Sequence, residues 1–303
     1  MKKYLWLLMA VLALLAGCGK DPVPEDPDTP GTPAEELPKP PYEVKENDFS
    51  TFRDGLKIGG YVYTPNGLPG KKPAVILCTG LDGTWADTKP YAEAATTLGL
   101  VSCCFDFCGG PDEESQSLSG GTKADNSVLT EIEDLGAVYN AIVARDDVDP
   151  NKIFLMGGSQ GGLVTALYAA DNPSDVMALG LMFPAFNLPD LVRTYASLIP
   201  GGIDNMTEPV SLYGHKFYPK YVKALYNLYP FDVIGNYKGP VLIMHGNQDD
   251  LVPITTSEKA LEKYEDAMLI PITNQGHGFD EASTALAIQN LENFLKEQLN
   301  ISE

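Results

Sequence analysis

Two kinds of hydrophobic pattern alternate along the chain. Four short runs are almost wholly apolar: residues 74–78, 153–156, 178–183 and 241–244. A strand with one wet face alternates apolar and polar positions, whereas a strand covered on both faces does not. These runs therefore predict central strands of a parallel sheet. Residues 101–107 and 267–272 predict two more strands. Residues 57–64, where Ile58, Tyr61 and Tyr63 are set among glycines and polar groups, predict an early antiparallel one. Between the runs, Val128, Ile132, Leu135, Val138, Tyr139 and Ile142 recur at spacings of three and four, which marks one buried helical face. Residues 162–170 and a last segment through Leu286, Ile288, Leu291, Phe294 and Leu295 predict further helices. Alternating strands and helices imply right-handed crossovers, and so an α/β fold with a doubly wound, mostly parallel sheet.

Residues 187–233 break this alternation. The stretch is too long for a simple crossover and holds eight of the chain's 28 aromatic residues, nearly twice its share by length. An aromatic insertion between two core strands predicts a cap over a ligand site; the plainer alternative is a pair of helices extending the core.

The amino-terminal region has a different character. Lys2 and Lys3 precede an apolar run over residues 4–16. Thirteen residues span only about 20 Å as a helix, short of the roughly 30 Å bilayer core, so the run reads as an export signal. Leu15-Ala16-Gly17-Cys18 looks like a bacterial lipobox, which predicts a signal peptide over residues 1–17 and a lipidated Cys18. An ordinary signal peptide with a chance cysteine is the alternative. Residues 19–42 carry eight prolines and six acidic residues. Such a composition buries too little apolar area to offset its ordering entropy. It predicts a tether over residues 18–45, with the folded domain over residues 46–303. The expected location is the outer membrane or cell surface, with the periplasmic face as an alternative.

The chain has 303 residues and a formal charge of −20. Residues 1–42 hold only six of the 41 acids and four of the 21 bases, so the acidity belongs mainly to the folded domain. An acidic surface repels nucleic acid and anionic lipid, leaving a small-molecule ligand as the expected partner and a lipid anchor as the expected tie to a membrane. Four cysteines follow Cys18: Cys78, Cys103, Cys104 and Cys108. Their apolar setting favours buried thiols over disulfides, although export permits a disulfide. Three scattered histidines make no metal-ligand cluster, so neither metal nor other cofactor is expected.

Candidate chemistry centres on Gly157-Gly158-Ser159-Gln160-Gly161, which fits G-x-S-x-G directly between a predicted strand and a predicted helix. That context predicts a nucleophile elbow, with Ser159 on a tight, strained turn. A serine hydroxyl needs a base. His277 follows the last predicted strand and is the expected base. His245 ends an apolar strand and is expected to shape that strand end, and His215 lies in the insertion. The imidazole in turn needs a carboxylate. His245-Gly246-Asn247-Gln248-Asp249-Asp250 supplies two; Asp249 is preferred and Asp250 is the neighbour to test. The order Ser159, Asp249, His277 is that of α/β-hydrolases. Backbone N–H groups of Gln160 and Leu81, the latter in Thr79-Gly80-Leu81-Asp82-Gly83, are the expected oxyanion donors.

These residues together resemble the α/β-hydrolase superfamily, and within it the bacterial cinnamoyl and feruloyl esterases. The closer likeness rests on Ser127-Val128-Leu129-Thr130-Glu131-Ile132-Glu133-Asp134, Phe105-Asp106-Phe107, Gly158-Ser159-Gln160-Gly161-Gly162, Pro184-Ala185 and Gly239-Pro240-Val241-Leu242-Ile243. The resemblance covers roughly residues 50–300. It implies Ser159, Asp249 and His277 as a triad, Leu81 and Gln160 as oxyanion donors, and an insertion shaping a pocket for an aromatic acyl group. The chain departs from the family in having Thr79-Gly80 where His-Gly is usual, and in the turn at residues 108–115. The expected activity is hydrolysis of small or aromatic carboxylic esters. The alternatives are a serine peptidase of the proline-aminopeptidase type and a non-catalytic carbohydrate-binding lipoprotein.

Overall fold

A computed structural model describes residues 41–111, 116–199, 201–212 and 214–301. The expected signal peptide, the lipidated Cys18 and most of the expected tether lie outside the described residues. An antiparallel pair, β1 (Val44–Arg53) and β2 (Leu56–Pro65), opens the fold. Then come β3 (Lys72–Cys78), α1 (Trp85–Thr97), β4 (Val101–Phe105), α2 (Val128–Val143), β5 (Val148–Gly158), α3 (Gln160–Asp171) and β6 (Ala178–Met182). The insertion contributes α4 (Leu188–Tyr195), the hairpin β7 (Val210–Leu212) and β8 (His215–Phe217), α5 (Pro219–Tyr226) and the short α6 (Pro230–Val233). The fold closes with β9 (Val241–Gly246), α7 (Thr255–Leu261), β10 (Ala267–Ile272) and α8 (Glu281–Leu299).

Eight strands form one sheet in the order β1-β2-β4-β3-β5-β6-β9-β10. β2 runs antiparallel to β4, and every pairing from β4 to β10 is parallel. The fully apolar runs are the central strands, as their pattern predicts: β4, β6 and β9 are buried at every position. Two separate apolar clusters flank the sheet. One contains Ile76, Leu155, Leu163 and Leu181; the other contains Val75, Leu77, Phe154, Leu242 and Phe294. Alternate residues of one strand thus serve opposite layers, which is why polar residues are scarce in these strands.

The strand order turns back at β3 and β5. β3 lies between β4 and β5, and the chain crosses from one side of the sheet to the other at this point. In open α/β sheets such a switch opens a crevice at the carboxyl ends of the strands. Ser159 follows β5 directly and the Gly80–Asp82 loop follows β3, so topology alone brings those two loops to the crevice.

β1 and α1 escape the sequence reading. β1 is an edge strand with a half-exposed alternating pattern, and α1 carries a polar face with an internal Pro90, so neither has a strong apolar signature. Polar contacts hold these peripheral pieces to the core. Arg53 Nε at the end of β1 donates to Asp134 Oδ1 at 2.5 Å, and the other oxygen of this buried carboxylate accepts the Cys108 N–H at 2.9 Å. Cys78, Cys103, Cys104 and Cys108 are all buried free thiols. Burial pushes the Cys104 thiol up to about 12, which leaves it protonated and inert near neutral pH.

Candidate active site

The turn from β5 to α3 is built by glycines that nothing else can replace. A Cβ on Gly157 would lie 2.3 Å from Gly161 O, and one on Gly161 would lie 2.4 Å from both Cys78 O and Thr79 O. Two backbones therefore cross the turn at distances only glycine permits. Ser159 between them has φ 51 and ψ −119, a costly conformation for a residue with a side chain. Its backbone is held on both sides: Ser159 N–H donates to Met182 O at 2.9 Å, and Ala185 N–H donates to Ser159 O at 2.9 Å.

Three side chains from three carboxyl-terminal loops meet at this turn. Ser159 Oγ lies 2.9 Å from His277 Nε2, and His277 Nδ1 lies 2.8 Å from Asp249 Oδ2. Asp249 is buried, whereas Asp250 is exposed, so the preferred carboxylate rather than its neighbour faces the imidazole. Burial would raise the Asp249 pKa, but hydrogen bonds from His245, His277 and the Val252 N–H outweigh it and hold the carboxyl well below the usual range. An ionised carboxylate only accepts, so His277 Nδ1 must carry the proton. Nε2 is then left with a lone pair facing the serine hydroxyl. The imidazole and the Phe183 ring meet in a T-shaped contact with centroids 5.0 Å apart, and Phe279 backs Phe183 at 4.9 Å.

His245 has a different task. It is fully buried, and its Nε2 donates to Val252 O at 2.7 Å while standing 3.2 Å from Asp249 Oδ2. Its Nδ1 accepts from Ser257 Oγ at 2.7 Å. Leu251 and Val252 N–H groups both donate to Asp249 Oδ1, at 3.0 and 2.8 Å. The loop after β9 is thus folded around its own acid, with His245 as the inner support.

Gly80 passes so close to the turn that a methyl there would come within 3.3 Å of Ser159 Cβ. Leu81 next to it lines the same cavity as Ser159 and His277, and Gln160 is the buried first residue of α3. The cavity has a volume of about 580 Å³, within the usual range for small-molecule sites. Residues of the insertion form much of its wall, among them Leu188, Val192, Tyr195, Phe217 and Leu225. The insertion also enters the core, since Tyr221, Val222 and Leu225 are buried in the main cluster. The stretch therefore both walls the cavity and packs into the core.

Sequence reasoning missed several residues around the site. Phe183 carries φ 37 after β6 and gives no signal beyond an apolar run. Glu131 and Asp134 are buried on the apolar face of α2, and a carboxylate on an apolar stripe is a signal that was available.

Known proteins resemble this chain in sequence and in fold. The prolyl oligopeptidase family matches residues 91–302. An uncharacterized protein of Mycobacterium tuberculosis is 27% identical over 208 residues, covering 68% of this chain and 63% of that protein. The chain thus spans less than two thirds of that relative's length. Acetylxylan esterase A of Aspergillus oryzae is 28% identical over 148 residues, 45% of this chain and 44% of its own. Among solved structures, Est1E from Butyrivibrio proteoclasticus with ferulic acid bound superposes with a TM-score of 0.74 at 26% identity, covering 83% of this chain and 99% of that one. With its doubly wound sheet and its loops gathered at one edge, the chain has the α/β-hydrolase fold and belongs to the prolyl oligopeptidase family.

Proposed function

We propose that the chain is a serine hydrolase of carboxylic esters, with small or aromatic acyl groups of the cinnamoyl and feruloyl type as substrates. One observation carries the reading: the unbroken line from Ser159 Oγ through His277 to the ionised Asp249, at 2.9 and 2.8 Å. In this reading His277 Nε2 takes the Ser159 proton as Oγ attacks the ester carbonyl. The tetrahedral oxyanion is held by the Leu81 and Gln160 N–H groups. His277 then gives the proton to the departing alcohol, leaving an acyl-serine. A water then attacks the acyl carbon as His277 takes its proton, and the second intermediate collapses with that proton returned to Ser159 Oγ, which releases the acid and restores the serine. Asp249 keeps the imidazole in the right tautomer and stabilises its charged form.

The walls of the cavity support a neutral, apolar acyl group, because its described lining holds neither a carboxylate nor a lysine or arginine. An acetylxylan esterase among the relatives and a structural neighbour with ferulic acid bound support this reading. The family's name favours peptide hydrolysis as a second reading. Aminopeptidase action needs an acidic group to hold the substrate ammonium, and none is found among the described lining residues.

The test is a panel of acetyl, butyryl, feruloyl and long-chain esters, together with an aminoacyl-naphthylamide. Methyl ferulate and the short esters are expected to turn over, and Ser159→Ala is expected to abolish hydrolysis of p-nitrophenyl acetate while leaving folding intact. Full residual activity would remove the assignment of Ser159, and preference for long acyl chains would remove the aromatic-ester reading. The same proposal keeps Cys18 as the lipidated residue of an exported protein. Metabolic labelling with an alkyne fatty acid, lost in Cys18→Ala, checks that part.

A further inference from the structure

Gln160 does more than begin α3. Its side chain is buried and gripped at both ends by groups from distant parts of the chain. Tyr221 Oη, on α5 of the insertion, donates to Gln160 Oε1. Gln160 Nε2 donates to Glu131 Oε2 on α2 at 2.6 Å. The other oxygen of Glu131 accepts from Asn126 Nδ2 at 3.0 Å, and Asn126 Nδ2 also donates to Cys108 O at 3.1 Å. Insertion, nucleophile turn, α2 and the loop after β4 are thus joined by one buried line of hydrogen bonds.

The chemistry of the line leaves no freedom in its sense. Burial, with the Glu131 charge behind it, drives the Tyr221 phenol well above its ordinary pKa, so the hydroxyl stays protonated and donates. That fixes Oε1 of Gln160 toward the insertion and its NH2 toward α2. Glu131 meets two amide donors, one on each oxygen, and a carboxylate satisfies both. A glutamine there would turn its own NH2 against one of them. Buried networks of this kind hold a unique geometry when every member is paired.

We propose that Tyr221 and Glu131 are positioning residues that fix the Gln160 backbone N–H for the oxyanion, acting through the clamped Gln160 side chain, so that the insertion helps build the oxyanion site as well as the pocket wall. The inference rests on the reading of Ser159 as nucleophile. An oxyanion donor is useful only when aimed at the place where charge develops, and loss of one typically slows reaction 10²–10³-fold. Misaiming the donor while leaving it in place is expected to cost less, about tenfold.

Tyr221→Phe removes only the hydroxyl and keeps the ring that packs on Phe217 at 5.3 Å. Glu131→Gln attacks the opposite end of the clamp. Each is expected to lower kcat for p-nitrophenyl acetate about tenfold with KM changed less than twofold. Each is expected to weaken inhibition by an alkyl trifluoromethyl ketone, whose serine adduct carries the oxyanion, in the same proportion. Both variants act through one side chain, so the double variant is expected to lose less than the product of the single losses. An unchanged kcat, an effect confined to KM, an unmoved inhibition constant or multiplicative losses would each overturn the proposal. Tyr221→Phe decides the matter alone if Glu131→Gln does not fold. Ser159→Ala is run beside them: with Ser159→Ala inactive, failure in the clamp variants strikes this proposal only, whereas an active Ser159→Ala removes the hydrolase reading beneath it.

Discussion

His215 Nδ1, on the hairpin of the insertion, stands 2.5 Å from Asp82 Oδ2, on the loop that carries Leu81. The same carboxylate is paired with Lys123, and Lys123 Nζ donates to Gly110 O at 2.6 Å. One acidic residue thus ties the tip of the insertion to the loop over the nucleophile. Asp82 adopts φ 61, so the loop turns sharply where the contact is made. His215→Ala is expected to loosen the hairpin and raise KM for p-nitrophenyl butyrate several-fold, with a smaller change in kcat. Steady-state kinetics read this directly. The pair is partly exposed, so its contribution to global stability is expected to stay below about 1 kcal/mol, checked by urea unfolding.

Asp249 and Asp250 are adjacent in sequence and opposite in setting. Asp249→Asn should allow the wrong imidazole tautomer and lower kcat by about 10⁴, the scale seen when a triad carboxylate is made neutral. Asp250→Asn, at an exposed position, should leave kcat within about twofold. Paired measurements on one ester, at one pH, distinguish the two.

Glu131 makes stability depend on pH in an unusual direction. Burial pushes its pKa up to about 7, against hydrogen bonds from Asn126 and Gln160 that lower it; the nearby Asp134 charge raises it further and Lys123 lowers it. Between the ordinary glutamate value near ~4.3 and about 7 the folded state binds the proton more tightly than the unfolded state. This group therefore stabilises the fold fully below ~4.3, and its contribution is lost as pH rises through about 7. The unfolding free energy of the native protein should fall relative to Glu131→Gln between pH 5 and pH 8. Urea titrations of both proteins at the two pH values give the difference in slope.

Gly161 has no room for a side chain. Gly161→Ala would drive a methyl into two carbonyl oxygens at 2.4 Å, and the turn can yield only by moving α3 off β3. A loss of about 3 kcal/mol in urea unfolding is expected, the upper end of what overpacking costs. Activity should fall with it, since α3 begins at Gln160. Gly158→Ala is the control, because its Cβ would meet nothing closer than Met182 Cε at 3.4 Å.

The sequence alone determined the layered sheet and the strand-turn-helix that presents Ser159. Both are local matters: an apolar run without polar positions must be covered on two faces, and the G-x-S-x-G spacing between a strand and a helix supplies the missing side chains that so tight a turn requires. Chain order also pointed to His277, since the loop after the last parallel strand opens on the same carboxyl edge of the sheet as the Ser159 turn. What surrounds these groups was decided by contacts across long stretches of chain. Sequence position favours Asp249 over Asp250, but the burial that separates them comes from the loop after β9, which folds Asp249 inward and leaves Asp250 exposed. Glu131 and Tyr221 are 90 positions apart, and only helix packing sets them on either side of Gln160. The insertion announced itself by length and aromatic content, but its cavity is walled largely by aliphatic side chains. A cavity's shape is the sum of many apolar contacts, each weak and none directional, so no short pattern records it.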